Sequence, residues 1–171
     1  HYHILNLGLR GMEQAARALD YEAAALFRDQ INTLKQMQAQ QFVSGRQADI
    51  DFIALAQAQG SSCVQVVVIR GGRNLGRRSH CPSQAEGAEA EEVMEAFLGQ
   101  FYQERQPPEQ IVVSHPVANL QLLADMLSAR AERKVSVQAR PRGERRKMLE
   151  LAAGNASQAL LMRLAGKANM S

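Results

Sequence analysis

Apolar residues in the first quarter of the chain fall into one narrow stripe, written twice. Leu9, Met12, Ala16 and Leu19 recur at +3, +4 and +3; after a break at Leu19-Asp20, Ala24, Phe27, Ile31 and Leu34 repeat the series. This is the seam of helices that pack as a coiled coil. The pattern therefore predicts two helical arms, an antiparallel hairpin over residues 9–42. Asp20 can accept from free N–H groups at the start of the second arm, and Glu22 in its first turn suits the helix dipole. One stripe per arm buries little, and units of that size rarely hold alone. The hairpin calls for something to dock on it.

The pattern changes at Val43-Ser44-Gly45-Arg46-Gln47-Ala48-Asp49, which interrupts the helical period. A second domain is expected over residues 48–168. Ile50–Ala56 and Cys63–Arg70 read as strands, with Val64, Val66 and Val68 marking one face, and Leu75–His80 returns as a third after the turn residues Gly71-Gly72-Arg73-Asn74. Ala90–Glu104 is helical, with Val93, Met94, Phe97, Leu98, Phe101 and Tyr102 on one face, until Pro107-Pro108 stops it. Gln110–Ser114 predicts a short strand, Ala118–Ala131 an amphipathic helix, and Lys134–Ala139 an alternating strand; a long helix follows Pro141-Arg142-Gly143. The order β-β-β-α-β-α-β-α predicts an α+β chain: a helical hairpin, then a mixed sheet covered by helices.

Composition narrows this picture. At 171 residues and 46% hydrophobic, the chain can build a real core. The net charge of +3 and the isoelectric point near 9.1 leave nucleic acid open as a partner. Two cysteines, Cys63 and Cys81, outside any CxxC pair, read as ordinary cytosolic thiols rather than a disulfide scaffold or zinc ribbon. No apolar run approaches the ~18 residues of a membrane span and no signal-peptide pattern opens the chain, so no membrane partner and a cytoplasmic setting are expected. The chain starts at His1 rather than Met, which reads as a piece of a longer protein. His1-Tyr2-His3 stands at an unanchored terminus and reads as a cloning remnant or trailing helix end, with no role assigned through Leu7.

The hairpin residues also carry a resemblance. The run Met12-Glu13-x-Ala15-Ala16-x-x-Leu19-Asp20-Tyr21-Glu22-x-Ala24-Ala25-x-x-Arg28-Asp29-Gln30-Ile31-x-x-Leu34 resembles the UVR motif, which is shared by the UvrB and UvrC families of bacterial excision repair and by some chaperone adaptors. Five later stretches resemble the UvrC family in particular: Gln41-Phe42-Val43-Ser44, Asp49-Ile50-Asp51-Phe52-Ile53-Ala54, Gly99-Gln100-Phe101-Tyr102, Lys134-Val135-Ser136-Val137-Gln138 and Pro141-Arg142-Gly143-Glu144-Arg145. The resemblance implies a ribonuclease H-like fold for the second domain and a role in nucleotide-excision repair and the SOS response to DNA damage. It also implies docking on the C-terminal UVR hairpin of UvrB as a four-helix bundle. Leu19, Tyr21, Ala24, Ala25, Phe27, Arg28 and Ile31 would form that interface, with Tyr21 as the aromatic hot spot at the tip. Where the family usually carries a polar residue and an aliphatic, this chain has Leu26-Phe27, a broader apolar face. Self-association through the hairpin, or folding back on the second domain, is the plainer alternative. An adaptor of a stress-response kinase or Clp protease is the other family reading, set back by the lack of paired CxxC motifs.

Candidate chemistry in the second domain is thin. A ribonuclease H-type site needs carboxylates converging on two metal ions. Asp51 lies at the very start of the first strand, Glu91, Glu92 and Glu95 face away from their helix's apolar stripe, and the fourth strand ends Val113-Ser114-His115-Pro116. His80 and Cys81 are adjacent and would diverge on a strand, without a third ligand. No nucleophile-and-base set is apparent. The chain carries neither a GIY-YIG-like motif nor the Asp-Ile-Ser-His-type start of the catalytic module in the family it resembles. The expectation is thus the non-catalytic middle of an excision nuclease, with no cofactor and no metal. Basic residues are more suggestive. Arg140, Arg142, Arg145, Arg146 and Lys147 crowd the start of the last helix, where N–H groups also favour a phosphate, and predict contact with the backbone of damaged double-stranded DNA. The plainer reading is a solvated face with local ion pairs. Arg70, Arg73, Arg77 and Arg78 bracket the hairpin turn as a second group. Asn155 falls among Met148, Leu151, Ala152, Ala159 and Met162, on a stripe expected to pack on the sheet, and reads as a structural hydrogen-bonding residue.

Overall fold

A computed structural model of the chain describes residues 48–170, together with Ala25, Arg28, Asp29, Ile31 and Asn32 of the first segment. The chain divides into two compact units, residues 1–40 and 41–171. In the first, the five described residues are helical; Ala25 and Ile31 are half-buried, while Arg28 and Asp29 are exposed and approach each other at 3.8 Å. The remainder of the expected hairpin, including Leu19, Tyr21, Ala24 and Phe27, lies outside the described residues.

The second unit is a five-stranded mixed sheet with three helices. Its elements are β1 (Ile50–Ala58), β2 (Ser61–Arg70), β3 (Arg73–His80), α1 (Ala90–Phe101), β4 (Gln110–Val113), α2 (Leu120–Ala131), β5 (Ser136–Ala139) and α3 (Gly143–Met170), with one turn of 3-10 helix at Ser83–Ala85. Strand order is β3-β2-β1-β4-β5. β1, β2 and β3 form an antiparallel meander, and β4 and β5 extend it in parallel with β1. The expected order of elements is the observed one, consistent with a ribonuclease H-like α+β domain.

Two hairpins set the meander. Gly71 and Gly72 both take positive φ in a two-residue turn, as the turn residues predicted. β1 and β2 run further than expected, to Ala58 and from Ser61, because Gln59-Gly60 forms a second turn of this kind, φ 52° and 78°. A glutamine in the left-handed region is a poor turn signal, so the sequence pattern stopped short.

Alternation along the strands divides the core in two. Ile53, Leu55, Val64, Val66, Ile111 and Val113 face α1 and α2, where they meet Val93, Met94, Leu98, Tyr102 and Leu127. The intervening residues, among them Phe52, Ala54, Val67 and Val112, supply the other face, which α3 covers with Met148, Ala152, Ala156 and Leu160. Because both faces are covered, β1 and β2 are buried nearly throughout, and a continuous apolar run replaces simple alternation.

Three expectations are corrected here. Cys63 and Cys81 stand opposite each other, one step beyond the Val64–His80 pair, and are joined as a disulfide rather than remaining thiols. Met162 is exposed, and Leu160 takes the inward place on α3 instead. α2 buries Ala124, Leu127 and Ala131 but leaves Leu122 and Met126 at the surface, so its apolar residues wrap round the helix rather than forming one stripe.

Candidate nucleic-acid interface

The cations predicted to touch DNA gather where β5 turns into α3. Arg140 adopts φ 54° and Gly143 φ 66°, so the chain reverses sharply between the strand end and the helix start. The left-handed region suits Gly143, but for Arg140 it costs backbone strain. Arg140, Arg142, Arg146 and Lys147 are exposed. Arg146 Nε donates to Glu150 Oε1 at 3.1 Å, a surface pair one helical turn apart. Arg145 behaves differently. Half-buried, its guanidinium donates to the side-chain oxygens of Gln138 on β5 and Gln110 on β4, so it ties the helix to the sheet. No hydrogen bond or ion pair engages the side chains of Arg142 and Lys147 among the described residues.

Beside this group lies His115, just past the end of β4. Ser114 Oγ accepts from Leu55 N–H at 2.9 Å and sits 2.8 Å from His115 Nδ1. With the backbone N–H donating to it, the hydroxyl is free to give its own hydrogen to the imidazole. Burial lowers the His115 pKa, and the Arg140 charge lowers it further. The ring is neutral and structural at neutral pH, and it adds no cation to the group.

At the other end of β1, Asp51 is not placed among carboxylates. It is 2% exposed, and its Oδ1 accepts from Arg70 Nη1 at 2.9 Å while Oδ2 accepts from the Tyr102 hydroxyl at 2.6 Å. Arg70 also donates to the Ile69 carbonyl. Burial raises the Tyr102 pKa well above its ordinary value, and the charge and hydrogen bond of Asp51 raise it further, so the phenol keeps its proton and donates it. Glu91, Glu92 and Glu95 are exposed on α1. Among the described residues no three His, Cys, Asp or Glu side chains converge to hold a metal ion. His80 packs its ring on Phe97 and Phe101, and burial, then Arg105 and Arg78, lower its pKa. Asn155 is buried on α3.

Sequence reasoning passed over Tyr102 as a polar residue, reading it only as part of an apolar stripe. It also left Arg105 unmentioned, although its guanidinium stacks 4.3 Å above the Phe101 ring. The spacing of Phe101 and Arg105, one helical turn, was the available signal.

Comparison with known proteins bears on the whole chain. Residues 49–163 match the model of the UvrC Ribonuclease H-like domain, and residues 10–36 match that of the UvrB/uvrC motif. Curated relatives carry the name UvrABC system protein C. The one from Yersinia enterocolitica is 46% identical over 157 residues, covering 90% of this chain and 26% of the relative. That of Methylococcus capsulatus is 43% identical over 156 residues, covering 91% and 26%, and that of Cronobacter sakazakii 41% over 172 residues, covering 98% and 28%. The chain thus spans about a quarter of the length of these relatives. Among solved structures, a Bacteroides thetaiotaomicron protein with an actin-like ATPase fold and unknown function overlays at a TM-score of 0.38 with 10% identity. It covers 71% of this chain and 44% of that one, too loosely to bear on function. No helix among the described residues is long and apolar enough to cross a membrane.

Proposed function

Since this chain belongs to the UvrC family, we propose that it is the central segment of a UvrABC excision-nuclease subunit, holding that subunit on UvrB and on damaged DNA during nucleotide-excision repair. The observation that carries this reading is the joint match of the UvrB/uvrC motif at residues 10–36 and the UvrC Ribonuclease H-like domain at 49–163 in one chain. The thin hairpin supplies the docking element. Its apolar stripes need another helix pair, and the C-terminal UVR hairpin of UvrB offers the same pattern for a four-helix bundle. Tyr21 anchors the centre; Leu19, Ala24, Ala25, Phe27 and Ile31 supply apolar area, and Arg28 a flanking charge. The incision chemistry belongs to other parts of the subunit, since Asp51 is already held by Arg70 and Tyr102.

For DNA, the exposed cations Arg140, Arg142 and Lys147 do most of the work, with Arg146 shared with Glu150 and Arg145 positioning the helix. Such contacts read the phosphate backbone, not sequence, and weaken steeply with salt. Capture of this chain by the UvrB C-terminal hairpin tests the docking. Tyr21→Ala should weaken it about tenfold or more, equivalent to ~2 kcal/mol at a hot spot. Equal capture of parent and variant refutes the hot spot, and no capture of either refutes the docking. For DNA, Arg142→Ala with Lys147→Ala should lower duplex affinity at low salt and flatten its salt dependence by about two charges. An unchanged slope refutes this face.

A further inference from the structure

A cavity of about 360 Å³ opens on the α1 side of the sheet, beside the Asp51–Arg70–Tyr102 group. Its floor is Val66 and Val68 of β2 and Gly76 of β3, which pair across the strands in register with Asp51. Leu75 is the extra residue of a β-bulge, since Val68 pairs with Gly76 and Ile69 with Asn74. The bulge turns Leu75 out to 65% exposure at the rim, and Gly76 places no side chain over the floor. Arg70, Arg77, Arg78 and Arg105 line the cavity, against the single carboxylate of Asp51.

That carboxylate is spent on Arg70 and Tyr102. Arg78 and Arg105 have no hydrogen-bond or ion-pair partner among the described residues. Both nonetheless stand close enough to act on one imidazole, His80. Arg105 is fixed over the Phe101 ring, itself stacked on Phe97 at 5.2 Å and met edge-on by Tyr102 at 5.0 Å. Two oriented guanidiniums without counter-ions, converging on a recess with an apolar floor, form the donor set for an oxyanion that carries an apolar body. Arg145 marks the α3 face of the sheet, so the cavity lies on the opposite side from the Arg140–Lys147 cations.

We propose that this cavity is a nucleotide-phosphate site, with the phosphate held between Arg78 and Arg105 and the base or sugar lying over Val66, Val68 and Leu75. Its volume exceeds that of a bare phosphate and falls at the low end of small-ligand pockets, ~300–1,000 Å³. The phosphate can come from a free nucleotide or from a nucleic-acid strand. The site does not depend on the docking or duplex reading above, because different residues on a different face carry it.

Titration of the 171-residue chain at low salt tests it, with adenosine monophosphate, adenosine, and a short oligothymidylate with and without a 5′ phosphate as probes. The monophosphate is expected to bind saturably and adenosine at least about tenfold more weakly. Arg78→Gln with Arg105→Gln should weaken monophosphate binding about tenfold or more, with an unchanged melting curve, because neither guanidinium bonds to the fold. Arg142→Gln with Lys147→Gln should leave it unaltered. Tighter binding of the oligothymidylate than of the monophosphate assigns the site to a strand, and equal or weaker binding assigns it to a free nucleotide. Absence of saturable monophosphate and oligonucleotide binding overturns the site, and so does binding that survives loss of Arg78 and Arg105.

Discussion

Replacing Tyr102 by phenylalanine isolates one hydrogen bond in the core. The ring is 1% exposed and packs among Val93, Met94 and Leu98, contacts that phenylalanine keeps. What goes is the 2.6 Å bond to Asp51 Oδ2. Asp51 is buried too, so water does not readily replace the lost donor, while Arg70 still holds the other oxygen. Hydrogen bonds to charged groups contribute ~1.5–3 kcal/mol, and stranding one carboxylate oxygen places the expected loss near 2 kcal/mol. In urea, with a slope of ~2 kcal/mol per molar, the unfolding midpoint should fall by about 1 M at an unchanged slope. An unchanged midpoint refutes the reasoning. Alkaline pH supplies a second arm. Burial and Asp51 raise the Tyr102 pKa above its ordinary 10.0, so the folded state holds a proton that the unfolded chain releases. The contribution is complete below pH ~10 and is lost as pH rises beyond it. The parent should therefore lose stability above pH ~10, and the gap between parent and Tyr102→Phe should narrow there.

Other perturbations rest on single observations. Glu132 caps α2 at φ 55°, a left-handed position, so Glu132→Gly should relieve strain and raise stability by about 0.5–1 kcal/mol, read as a higher melting temperature. Reduction of Cys63–Cys81, which closes an 18-residue separation, should cost about 3 kcal/mol in denaturant melts with and without dithiothreitol. Burial, then Arg105 and Arg78, depress the His80 pKa, so the folded ring stays neutral where the unfolded one protonates. Its contribution is complete above pH ~6.5 and falls away in more acid solution; in acid melts, His80→Phe should lose less stability than the parent between neutrality and pH ~5.

How far the sequence is legible depends on whether a feature is local. Apolar spacing marked all five strands and three helices of the second unit, because each side chain's burial follows the period of its own element. Ends were less legible: the Gln59-Gly60 turn hid two residues of strand on either side. Residue type did not predict the fate of the candidate cations. Arg145 and Arg146 are neighbours in the chain, yet one braces Gln110 and Gln138 while the other meets only Glu150 in solvent. That split comes from a rotation of about 100° per residue on a helix whose one face rests on the sheet.

By itself, the sequence determined the single apolar stripe of each hairpin arm, the family, and the order of strands and helices, since motif and periodicity are properties of neighbouring residues. Tertiary structure alone decided which distant residues meet. Asp51, Arg70 and Tyr102 close one network, and Arg78 and Arg105 converge beside it, because β-pairing register aligns β1, β2 and β3 and the end of α1 comes down over them. The same register set Cys63 against Cys81. Pairing partners along a sheet are chosen by the packing of both faces, which no single strand encodes.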